Sequence, residues 1–298
     1  MVTSTAIFFW TVLFAMVLEF SLVNGGHMQY DHNLCDSYTP TALGGTCYIS
    51  NTKYLNFDAW TSPLTIGTLI FSYSGRLWYG NNNNNVVIVT AGDFTMPSST
   101  NQIVMSRDGM IEILAGGDVN IEGYVEAAHI YIRSKGDFVL GAQAGSTAWI
   151  NANAMSSSQY STGMDSSYAG GTCWSYDDYA AGGGAGHGGR GASACGGRNE
   201  NPYGGQGTTY GSESYPMLWG SRGGKPFYQQ FTEDEGGYGG GGIHLRADGT
   251  IYLRGDVTAN SGNAFGSIHD ENQRKCAGSG YDGHWGSGGG SGGSITIE

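Results

Sequence analysis

Residues 111–140 read IEILAGGDVNIEGYVEAAHIYIRSKGDFVL, and the fold turns on how they are read. Ile111, Ile113, Val119, Ile121, Ile130, Ile132, Phe138 and Leu140 alternate with Glu112, Asn120, Tyr131 and Val139. A two-residue period marks strands that bury one face. Ala115-Gly116-Gly117-Asp118, Gly123 and Lys135-Gly136-Asp137 separate these runs with turn residues. The runs also recur: Ile111-Glu112-Ile113 returns as Ile130-Tyr131-Ile132, and Val119-Asn120-Ile121 as Phe138-Val139-Leu140, both nineteen residues on. A fixed offset with two strands per period is what stacked turns of parallel strands require. Hairpins in a sandwich need no such interval. The expectation is therefore an all-β chain, a right-handed parallel β-helix (solenoid) with a long glycine-rich loop insertion; a β-sandwich is the second choice.

On the N-terminal side, Leu64 to Phe71 and Leu77 to Tyr79 read as strands, and Asn81 to Asn85 as a solvated turn or a ladder of stacked asparagines. On the C-terminal side the strand pattern stops near Ile150. It returns at Ile243-His244-Leu245, Ile251-Tyr252-Leu253 and Val257, and a last strand starts at Ser294. That last strand is expected to present an open edge, used in assembly or continued in a longer protein. Between them lies a glycine and aromatic rich insertion, 151–242, centred on GGGAGHGGRGASAC at Gly182 to Cys195. A helix does not tolerate so much glycine, and a strand gains nothing from it. Of the 53 glycines, 15 precede residue 151 and 38 follow it, which suits one regular half and one loop-rich half of a single domain, 26–298.

Charged residues make up 13% of the chain, with a net charge of -12 and four lysines that do not cluster. Nucleic acid and anionic membranes demand the opposite balance, so neither is an expected partner. Ile7 to Leu18 is a near-continuous apolar run with a polar exit, the length of a secretory signal core. No Lys or Arg precedes it and Glu19 follows, so an uncleaved signal anchor is the alternative. The preferred reading is a signal peptide, 1–25, and a secreted, extracellular chain with no membrane contact after cleavage. In that oxidising compartment the five cysteines are read as two bridges, Cys35 with Cys47 and Cys173 with Cys195, leaving Cys276 unpaired, bridged to another chain, or partner to one of the four. No Asn-x-Ser/Thr acceptor for N-glycosylation occurs.

Candidate chemistry is sparse. His27, His32, Cys35 and Asp36 include zinc ligand types, but their spacing fits no zinc pattern, and a disulfide-tied flap is preferred; no metal site is assigned. Asp177-Asp178 and Gly186-His187-Gly188 superficially resemble the paired aspartates and Gly-His-Gly of galacturonan hydrolases. They sit in a glycine-rich loop, the one Arg-x-Lys (Arg133-Ser134-Lys135) comes before them, and catalytic carboxylates need a rigid scaffold. No catalytic residue and no cofactor are assigned. Gly278 to Asp282 matches one copy of a calcium-binding nonapeptide that works in tandem arrays, so divalent cations or mineral are expected to meet scattered carboxylates instead. The acidic run Glu233-Asp234-Glu235 reads as a solvated face, and the 19 tyrosines suit oxidative cross-linking.

Four motifs carry a resemblance. GGGAGHGGRGASAC at 182–195, YPMLWGSRGG at 215–224, GGGGIHLRADGTIYLRGDVTANSG at 239–262 and GSGGGSGGSITI at 286–297 resemble, in the same order, segments of a family of large secreted or surface glycine-rich proteins. These are best known from land plants, with similar segments in protists and some invertebrates. The resemblance implies a parallel β-helical solenoid outside the cell and no agreed catalytic activity. The combined expectation is a structural, non-enzymatic protein of an extracellular matrix, wall, shell or skeleton. Its partners are matrix polymers or copies of itself, with mineral or polysaccharide in contact; the alternative is a polysaccharide-cleaving or carbohydrate-binding protein on a parallel β-helix.

Overall fold

A computed structural model describes residues 35–39, 45–54, 64–78, 85–142, 145–155, 185, 187, 218–223, 237–263 and 289–298. The described residues form strands and no helix, in three sheets. The first sheet runs β1 (Ser37–Thr39), β2 (Thr46–Ile49), β5 (Thr68–Phe71), β8 (Phe94–Met96), β11 (Val119–Ile121), β14 (Phe138–Leu140) and β17 (Ile251–Leu253). The second runs β4 (Leu64–Ile66), β7 (Asn85–Thr90), β10 (Met110–Ala115), β13 (His129–Ser134), β16 (Gly242–Ala247) and β19 (Ser294–Ile297). The third runs β3 (Thr52–Tyr54), β6 (Arg76–Trp78), β9 (Gln102–Val104), β12 (Tyr124–Glu126), β15 (Trp149–Asn151) and β18 (Asp256–Thr258). From β2 onward each sheet takes every third strand, and neighbours are parallel. Antiparallel pairing, which a hairpin sandwich would need throughout, is found among the described residues at β1 with β2.

The register follows the offset visible in the sequence. Ile111 pairs with Ile130, Ile113 with Ile132, Val119 with Phe138 and Ile121 with Leu140. Because side chains alternate along each strand, this register aligns inward residues into columns: Cys47, Leu69, Phe94, Val119 and Phe138 in the first sheet, Val86, Ile111, Ile130 and Ile243 in the second, Leu77, Ile103, Val125 and Ile150 in the third. All belong to one buried cluster. Each such side chain contributes about 1.5–3 kcal/mol by leaving water.

The corner between the second and first sheets is built from Gly-Asp dipeptides. Asp93 Oδ1 accepts a hydrogen bond from Asp118 N (2.9 Å), Asp118 Oδ1 from Asp137 N (2.8 Å) and Asp137 Oδ1 from Thr250 N (2.8 Å). A Cβ on Gly117, Gly136 or Gly249 would lie 2.0 to 2.4 Å from the carboxylate below it, so glycine precedes each turn's acceptor-bound residue for lack of room.

At the N-terminal end a disulfide joins Cys35 to Cys47, with Cα atoms 5.3 Å apart. Asp36 accepts from Ser50 N (2.7 Å) and Asn51 N (2.9 Å) and pairs with Lys53 Nζ at 2.6 Å. Lys53 stands in register with Leu77, at the end of the third inward column. Burial raises the Asp36 pKa, but Lys53 and the Ser50 and Asn51 donors outweigh it and hold the carboxyl well below the usual carboxylate range.

After β15 ends at Asn151 the chain returns at Gly242, and Ile243 stacks on Ile130 in register. The described glycine-rich pieces pack backbone against backbone there. Gly220 N donates to Gly240 O (2.7 Å), Gly240 N to Ser291 O (2.9 Å) and Gly293 N to Ala259 O (2.7 Å). A Cβ on Gly293 would sit 1.7 Å from Gly241 O, which explains why glycine recurs in these motifs. Their purpose is close approach and not looseness alone.

Candidate functional site

Two outward sheet faces and the glycine layer gather the polar and aromatic side chains. The first face belongs to the second sheet, where the register sets Glu112, Tyr131, His244 and Thr296 in one row. The Tyr131 and His244 rings meet edge to face at 5.0 Å, and His244 Nε2 lies 3.6 Å from Glu298 Oε2. His244 is 5% exposed, and neither ring nitrogen has a hydrogen-bond partner among the described residues. Burial pushes the Glu112 carboxyl and the Tyr131 hydroxyl up from their ordinary pKa values. His129, one row away, packs edge to face on Trp219 at 5.6 Å. Burial, assisted by the charge of nearby His244, lowers its pKa to about 4, so the ring is neutral at physiological pH.

The second face lies outside the third sheet. Tyr54 and Trp78, on β3 and β6, are 76% and 42% exposed, and their rings meet edge to face at 6.2 Å. Tyr124 and Trp149, on β12 and β15, form a second edge-to-face pair at 5.4 Å. Asn151 Nδ2 donates to Tyr124 Oη (2.7 Å) and to Glu126 Oε2 (2.8 Å), while Asn153 N donates to Asn151 Oδ1 (2.9 Å). Trp149 Nε1 donates to Thr258 Oγ1 at 2.7 Å. Burial raises the Glu126 pKa, partly offset by the Asn151 hydrogen bond. The Tyr124 and Trp149 rings are therefore held by a polar network and not by chance packing.

In the glycine layer, two guanidinium groups stack on Tyr238, with Arg107 Cζ at 3.6 Å and Arg222 Cζ at 4.9 Å from the ring centroid. His187 Nδ1 stands 2.8 Å from Gly292 O, which ties the Gly-His-Gly motif to the last glycine run. Its suggested companions Asp177 and Asp178 lie outside the described residues, as do the signal peptide 1–25, His27, His32, Cys173, Cys195, Cys276, Glu233 to Glu235 and Gly278 to Asp282. Arg133 extends from the second sheet toward Asp248, with a nitrogen to oxygen distance of 3.8 Å. The aromatic face was missed in the sequence because its rings are unevenly spaced along the chain. Outward aromatics on successive period-2 strands were the available signal.

Compared with known proteins, the chain matches no family model, no curated protein and no solved structure.

Proposed function

We propose that this chain is a secreted glycine-rich structural protein of an extracellular matrix, wall, shell or skeleton, in contact with polysaccharide and wound as a right-handed parallel β-helix. The observation that carries the reading is the parallel succession in which each sheet takes every third strand, maintained in register from Ile130 to Ile243 across the long insertion. A chain that advances one strand per sheet and returns above itself makes a coil, and parallel crossovers are overwhelmingly right-handed. The Cys35–Cys47 bridge suits an oxidising compartment, and the four glycine-rich motifs support kinship with secreted glycine-rich proteins. Close glycine packing favours a rigid body over a tethering linker. The role assigned is structural and not catalytic.

Fractionation of the source material tests this. Peptides from 86–133 and 237–263 in the insoluble extracellular residue, with a mature terminus near Gly26, are the expected result. Recovery only from soluble secretion or from inside cells contradicts the reading.

A further inference from the structure

From the outer face of the third sheet we infer a binding surface for one extended, uncharged polysaccharide chain, laid diagonally across β3 to β15. The inference rests on the matrix reading above for its biological setting, but its chemistry stands on four rings and their surroundings.

Tyr54 and Trp78 share one register row, and Tyr124 and Trp149 share the neighbouring row, two residues along the strands. Strands are spaced about 4.8 Å apart, so the step from Trp78 on β6 to Tyr124 on β12 is about 10 Å along the sheet. The four rings thus trace an oblique line about 19 Å long from β3 to β15, four strand steps. A line of rings matches a linear polymer better than a compact ligand, which would need a concave pocket.

Tyr54 and Trp78 differ from the exposed Tyr73 in standing side by side in register, so their exposed rings form one continuous contact area. Aromatic faces complement the C–H faces of pyranose rings, and Tyr and Trp add a polar edge. Hydroxyl groups of a sugar both donate and accept, and this surface offers both. Glu126 is an acceptor beside Tyr124, and Arg76, half-buried on the strand of Trp78, brings a guanidinium donor into the register row of Tyr124.

Charge narrows the ligand to a neutral glycan. Glu126 and Asp256 stand at the β12 to β18 end of the ring line against Arg76 toward the other end, and the chain carries -12 overall, so the balance disfavours an anionic polysaccharide. A peptide strand adds to the edge of a sheet by backbone hydrogen bonds, and this surface is a face.

The test uses the full secreted chain with its disulfide intact, run on native gels containing hydroxyethylcellulose, glycol chitin, galactomannan or polygalacturonate. Retardation by at least one of the three neutral polymers is expected, exceeding that by polygalacturonate. The double variant Tyr54→Ala/Trp78→Ala is expected to weaken it about tenfold or more at unchanged Tm, since both side chains are exposed, while Trp78→Phe retains most of it. No retardation by any neutral polymer, equal retardation of the double variant, or preference for polygalacturonate overturns the inference. Absence of glycan binding in a chain recovered from insoluble matrix removes this surface and leaves the matrix reading standing. Ring-dependent binding by a chain found only in soluble secretion supports the surface and removes the matrix reading.

Discussion

The carboxylate of Asp118 accepts a hydrogen bond from the backbone N–H of Asp137, nineteen residues later, at 2.8 Å. Asp137 in turn accepts from the Thr250 N–H across the insertion, 113 residues on, at the same 2.8 Å. One corner geometry is therefore repeated from strand to strand, and the glycine before each recipient N–H leaves room for the carboxylate beneath.

This geometry couples two residues that do not neighbour each other in sequence. Gly136→Ala places a methyl carbon 2.0 Å from Asp118 Oδ1 and is expected to cost about 1–3 kcal/mol. Asp118→Ala loses the bond to Asp137 N and is expected to cost about 1–2 kcal/mol. The double variant relieves the clash, so its loss should fall short of the sum by roughly 1 kcal/mol in urea unfolding. Strict additivity contradicts the stacked corner.

The Cys35–Cys47 bridge spans a sequence separation of 12 and ties the residues just before the edge strand β1 to β2. Its removal by Cys35→Ser/Cys47→Ser is expected to lower stability by about 3 kcal/mol on the chain-entropy account. Thermal unfolding with and without reductant measures it; the reductant should shift the wild type by more than it shifts the variant.

His129 gives a pH dependence with a defined sign. Its folded pKa of about 4 lies below the ordinary histidine value of 6.5, so the unfolded chain binds the proton more readily. The stability contribution is complete above about pH 6.5 and declines as pH falls through 4, by about 3 kcal/mol in all. His129→Gln should flatten that part of the stability profile, as read by urea midpoints from pH 7 to pH 4.

Tyr73 is 84% exposed at a turn with φ of 52°, Tyr54 is 76% exposed and Tyr252 48%. Peroxidase with hydrogen peroxide should join these phenols into dityrosine between molecules, one C–C bond replacing two ring hydrogens that leave with the oxidant. Mass spectrometry of the digest should find these three tyrosines in the cross-links ahead of the half-buried Tyr124 and Tyr131.

Some of this architecture was legible in the residues. The nineteen-residue offset of Ile111 with Ile130 appears directly as strand register, because no insertion separates those strands from their corners. The third sheet was not legible in the same way: Tyr124 pairs with Trp149 at an offset of 25, since the chain takes a longer path from β14 to β15. Val86 to Ile111 is likewise 25. The aromatic face escaped for the same reason, as Tyr54, Trp78, Tyr124 and Trp149 come together only once register is known. Glycine was read as freedom for loops, whereas Gly220, Gly241 and Gly293 are there for contact between backbones.

The scaffold depends on the stack continuing in register past the insertion. Asn120 pairs with Val139 and Val139 with Tyr252, so Asn120 and Tyr252 lie two strand steps apart although the insertion separates them in sequence. Spin labels introduced as non-natural amino acids at those two positions measure this directly. Strong dipolar broadening, from backbones about 10 Å apart, is the predicted result. A separation beyond about 20 Å, four strand steps, would contradict the stack and the coiled scaffold drawn from it.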